Sequence, residues 1–200
     1  MPLASAAPEI RDDILDAADR LLARFGYKKM TMDDLAREAG IGKGTTYLHF
    51  RGKKEVALGT IDRVVQRLLV HLHEIVESGG SPPVRVRQML LTRILFRFDS
   101  AKNHSESIDD LLRAVRPAYL ARRQRYFDAE AKVFLRVLED GRKTRVFSFD
   151  DGLATAHALL LATNALLPSS LSALELGKRR DVEAKTARIA DLLIAGLQQH

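Results

Sequence analysis

Two hundred residues, 46% of them hydrophobic, suffice for one or two globular domains with a sizeable core, and a net charge of +6 suits a polyanionic partner without establishing one. Cysteine is absent, which excludes disulfide scaffolds, thiolate metal sites and cysteine nucleophiles. No stretch reaches about 20 apolar residues without a charge, and MPLASAAPEIRDD lacks the basic start and apolar run of a signal peptide, so a soluble, cytoplasmic protein with no membrane partner is expected.

Residues 1–8 read as a small-residue, proline-containing tail. A first helix is predicted over 9–25, because Ile10, Ile14, Ala17, Ala18, Leu21, Leu22 and Phe25 recur at helical spacing, and Gly26 ends it. The stretch TMDDLAREAGIGKGTTYLHF, residues 31–50, then reads as two short helices around a tight turn. Thr31 stands at an N-cap with Asp34 three residues on, the spacing of a capping box. Met32, Leu35, Ala36 and Ala39 form the apolar stripe, and Gly40 sits where the backbone needs positive φ. Ile41 plugs the gap, and Gly42 opens the second helix, which runs to about Phe50. This is a helix-turn-helix, whose second helix can lie in a DNA major groove. Charge agrees: between Arg24 and Lys54 eight basic residues face Asp33, Asp34 and Glu38, whereas the preceding helix is rich in acids.

A long helix over 53–78 follows, with Val56, Ile61, Val64, Val65, Leu68, Leu69, Leu72, Ile75 and Val76 as its stripe; the break is Gly79-Gly80-Ser81-Pro82-Pro83. Further helices are expected over 82–99 (apolar nearly all round, hence central), 105–116, 117–140 (opened by Pro117, ended by Gly141), 151–167 and 181–197. Residues 142–149 read as a loop with extended character at Val146-Phe147, and a Ser-rich connection precedes the last helix. No strand alternation or internal repeat stands out, so the fold class is all-α: an N-terminal three-helix domain, 1–52, and a larger helical domain, 53–200, with the 53–78 helix joining them.

Ala36, Gly40, Ile41, Lys43, Gly44, Thr45, Tyr47, Phe50 and Lys53 stand in a spacing that resembles the DNA-binding domain of TetR-type bacterial transcriptional regulators. Two positions depart from that pattern: Gly42 replaces a frequent Ser cap, and Thr46 a commonly aliphatic residue. The resemblance implies a homodimer that binds double-stranded operator DNA, most often as a repressor, with a body that takes a small-molecule effector, here a largely apolar one. It also implies that Lys43, Thr45, Tyr47, His49 and Lys53 contact DNA and that Gly44 permits close approach. Thr31 can bond a phosphate through its hydroxyl or amide. Tyr47 either faces DNA or joins the core with its hydroxyl at the rim, and Thr46 and Leu48 either touch a thymine methyl or pack.

In the body, the expected pocket residues are Met89, Arg93, Phe96, Tyr119, Tyr126, Phe127, His157 and Asn164. Any one of them has ordinary core packing as its alternative, although a polar group among Ala and Leu, as at His157 and Asn164, must find a partner. Arg93 and Arg97, one turn apart, either hold an acidic ligand or point outward. The dimer interface is expected at Leu153, Leu160, Leu161, Leu167, Ile189, Leu193 and Leu197, two helices from each subunit forming a four-helix bundle. His71 and His73 do not share a helix face, and no Ser/His/acid set or phosphate loop occurs; no catalytic residue, metal or cofactor is expected.

Overall fold

The computed structural model describes residues 6–102, 108–168 and 177–198. All regular structure among them is helical: α1 (Ala6–Lys29), α2 (Met32–Glu38), α3 (Lys43–His49), α4 (Lys53–Glu77), α5 (Pro82–Lys102), α6 (Ile108–Lys143), α7 (Gly152–Thr163) with a 3-10 turn Asn164–Leu166, and α8 (Arg179–Leu197). The expected Ser-rich connection lies largely outside the described residues. Two compact units result, Met1–Val64 with Asn103–Leu120, and Val65–Lys102 with Ala121–His200, so that α4 and α6 each contribute to both.

In the first unit the apolar stripe of α1 supplies Ile14, Leu15, Ala18, Leu21 and Leu22 to a core shared with Met32 and Leu35 of α2, Phe50 at the end of α3, Val56 and Ala57 of α4, and Leu111 and Val115 of α6. Gly26, at φ 73°, breaks α1 before a last turn to Lys29. The capping box forms as expected: the Asp34 amide donates to Thr31 Oγ1 (3.1 Å), and the Thr31 amide donates to Asp34 Oδ2 (3.2 Å). Gly40 takes φ 68°, and the paired bonds Ile41 N–H to Ala36 O (3.0 Å) and Gly40 N–H to Arg37 O (3.3 Å) close the end of α2. This turn fixes the direction in which α3 leaves α2.

In the second unit the central position expected for α5 is observed: Val86, Met89 and Leu90 join Leu68 and Leu72 of α4, Phe134 and Val137 of α6, Leu159 and Leu160 of α7 and Ile194 of α8 in one core. Two features differ from the sequence reading. Residues 108–143 form one helix with Pro117 inside it, exposed, instead of a break there. Gly141 lies within that helix as well; the left-handed position falls to Arg145, at φ 59°. Gly141 is a close-packing residue, since a Cβ there would stand 2.1 Å from the Phe147 ring. The extended character expected near Phe147 is present as an antiparallel bridge to Gln198.

Candidate nucleic-acid interface

α3 is seven residues long, and its surroundings decide which of its side chains turn outward. Thr46 is fully buried, with no hydrogen-bond partner for its hydroxyl. Thr46 therefore packs and is withdrawn as a DNA-facing residue: it is the side chain that anchors α3 to the core. The opposite face carries Lys43, Gly44, Tyr47 and Leu48, all exposed, with Thr45 and His49 half-buried beside them. Tyr47 is 47% exposed, which rules out the core alternative, and Leu48 is 85% exposed.

Two predicted cations and one cap are engaged within the protein. Lys43 Nζ lies 2.7 Å from Asp33 Oδ1, and that hydrogen bond and charge hold its ammonium above the usual lysine range. Lys53 turns inward: its Nζ donates to the carbonyls of Lys28 (3.2 Å), Tyr27 (3.3 Å) and Met30 (3.4 Å) and stands over the Tyr27 ring. This corrects the expectation for Lys53, whose ammonium closes the end of α1. Thr31 is exposed, but its amide and hydroxyl both bond the Asp34 carboxylate, whose acidity is strengthened by the Thr31 hydroxyl and the Arg37 charge. Arg51 and Lys54, which the sequence reading did not single out, are exposed beside α3 and form no ion pair among the described residues. Their signal was the cluster of cations directly after the second short helix.

Residues 14–59 match the family model of bacterial regulatory proteins, tetR family. The uncharacterized HTH-type transcriptional regulator YerO of Bacillus subtilis is 30% identical over 105 residues, 52% of this chain and 35% of that protein. This chain spans between about a third and a half of the curated relatives YerO and YhgD that it matches. The similarity of fold extends further. The crystal structure of a transcriptional regulator from Cytophaga hutchinsonii superposes with a TM-score of 0.75 at 20% identity, covering 93% of this chain and 97% of that one. A TetR transcription regulator from Haloarcula marismortui superposes at 0.74, with 19% identity and 96% and 100% coverage. Residues 14–59 belong to the tetR family of bacterial regulatory proteins.

The second unit resolves the alternatives left open for its polar residues. Arg93 is buried and does not point outward: Nε donates to Glu130 Oε2 (2.6 Å), Nη1 to Thr163 Oγ1 (2.9 Å) and Leu160 O (3.3 Å), and Nη2 to Asn164 Oδ1 (2.8 Å). Arg97 bonds the other side of the same carboxylate. Burial alone would raise the Glu130 pKa, but the charges and hydrogen bonds of Arg97 and Arg93 outweigh it and hold the carboxyl below its ordinary value. Phe127 stacks on His157 (centroids 5.5 Å apart), whose Nε2 lies 3.2 Å from Asp128. Met89 is core; Phe96 is half-buried against His71; Tyr126 is buried. Tyr119 is corrected: it packs on the core of the first unit, not in the body.

The expected interface residues divide. Leu153 and Leu161 are exposed on α7, with Ala154, Ala158 and Ala162, and Ile189, Leu193 and Leu197 are half-buried on α8. Leu160 and Leu167 are buried within the subunit, which removes them as partner contacts. Leu192 on α8 is 70% exposed; a stripe read at helical spacing does not say which edge of it the neighbouring helix covers.

Proposed function

We propose that this chain is a homodimeric TetR-type transcriptional regulator, a repressor whose α3 enters the major groove of operator DNA and which leaves the operator when its body binds a small, largely apolar effector. The observation that carries the reading is the outward face of α3, where Lys43, Gly44, Tyr47 and Leu48 stand clear of the core. Such a face needs side chains that reach base edges and flanking cations for phosphates. Tyr47 and Leu48 are the base-facing pair, Leu48 suited to a thymine methyl, with Thr45 and His49 at the edges. Arg51 and Lys54 are the phosphate contacts, in place of Lys53. Gly44 leaves room for the duplex, as no atom lies within 4 Å of where its Cβ would be. The α7 and α8 surface around Leu153, Leu161 and Leu192 pairs with a second copy, which a two-fold related operator would match. The effector acts by preferring one body conformation over the other, and can shift the balance only by that difference in affinity.

Gel-shift titration against the DNA flanking its own coding region tests the reading. Affinity falls steeply with salt, and Tyr47→Ala and Lys43→Ala each weaken binding by about tenfold or more. Failure to bind any of that DNA at low salt rejects it. One observation favours a second reading, a regulator without an effector. The polar groups expected to line a pocket already satisfy one another through Arg93, Glu130, Thr163 and Asn164. DNA affinity that stays constant across a panel of hydrophobic compounds would select it.

A further inference from the structure

We propose that Asp33 is an electrostatic brake on the recognition helix: it withholds Lys43 from the phosphate backbone in sequence-independent encounters and so keeps affinity for DNA in general low. The inference rests on the DNA-binding reading above. The pair joins the first turn of α2 to the first residue of α3. Both side chains are well exposed, 60% for Lys43 and 64% for Asp33, so packing does not hold Lys43 where it is; the carboxylate does. Lys43 also stands at the helix end that disfavours a cation, and Gly42 provides no side-chain cap there. Asp33 is not needed to close its own helix, because Thr31 and Asp34 do that between them. The carboxylate of Asp34 is occupied by Thr31 and Arg37, which leaves Asp33 as the acid of this turn directed at α3.

A phosphate approaching Lys43 must therefore displace a carboxylate and then lie close to its charge. Exposed ion pairs are weak and screened by salt, so a complex that also gains base contacts can break this one. A sequence-independent complex is held almost wholly by phosphate contacts and has nothing to set against the loss. Asp33 thus acts on the ratio of specific to non-specific binding, the quantity that matters when a genome offers so many competing sites.

The test uses the full chain and a mixed-sequence duplex, titrated across a salt series, with Asp33→Asn, Lys43→Gln and the double substitution. The brake predicts that Asp33→Asn binds the duplex about two to five times more tightly than wild type. Its slope of log affinity against log salt is steeper by about one, the signature of one added phosphate contact. The gain largely disappears in the Lys43→Gln background. No gain, a loss, or an equal gain without Lys43 overturns the proposal; the last would make Asp33 a plain repulsive charge. If neither wild type nor Asp33→Asn binds the duplex at the lowest salt, the DNA-binding reading falls and the brake with it. If wild type binds and Asp33→Asn changes nothing, the brake alone falls.

Discussion

Thr46 carries a hydroxyl into the core of the first unit with nothing to bond it. A buried, unpartnered hydroxyl costs about 1–3 kcal/mol, so Thr46→Val, which keeps the shape and removes the hydroxyl, should stabilise the protein by about 1 kcal/mol. A thermal melt raised by about 2–4 °C is the expected result. Glu130 is the opposite case, a buried charge whose partners are in place. Its folded pKa lies below the ordinary value near 4.5, so the stability it contributes is present above that value and is lost as pH falls through the lowered one. Glu130→Gln leaves two guanidinium groups without their counter-charge and should cost about 3–5 kcal/mol at neutral pH, while flattening the acid limb of a stability–pH curve. At this scale the sequence was legible where a residue's setting is local: the Thr31–Asp34 box follows from spacing within one turn, while Tyr47 stays open between two settings until the packing of α3 decides it. It was not legible at Lys53, whose acceptor carbonyls lie 23 to 26 residues away, or at Arg93, whose acceptors lie 37 to 71 residues away.

The glycines of α3 and α6 are alike in sequence and opposite in role. In an open helical position Gly→Ala stabilises by about 0.5–1 kcal/mol. Gly44→Ala should follow that rule, its Cβ meeting no atom within 4 Å, while weakening DNA binding by filling the space toward the duplex. A melt and a gel shift on the same variant therefore move in opposite directions; a stabilised variant with unchanged affinity would remove Gly44 from the interface. Gly141→Ala should reverse the sign of the stability effect, because the added methyl meets the Phe147 ring at 2.1 Å, and overpacking of this kind costs about 1–3 kcal/mol. The helices themselves were readable from apolar periodicity, but their ends were read from breakers, and breakers have more than one use. Gly141 reads as a stop and Pro117 as a start, yet one makes room for a ring and the other rides on the exposed side of a continuous helix.

For the whole molecule, the all-α class and the order of helices were legible, because most long segments carry the 3.6-residue pattern and the rest are apolar runs too long for strands. What pattern cannot show is which surface remains uncovered once the helices have packed. Leu161 and Leu192 do remain so, at 60% and 70% exposed. Leu161→Glu should give a monomer by sedimentation with its helix content intact, since no core contact is lost; a variant that sediments as wild type would place the pairing surface elsewhere. The chain's route between its two compact units has a practical outcome of its own. Leu111 and Val115 reach the core around Leu21 and Phe50 from a point far later in the chain, after the whole of α5. A truncated clone ending near Val64 would thus carry an open seam of apolar side chains and tend to clump. Neither unit is one continuous stretch of chain, so neither can be lifted out with a single pair of cuts.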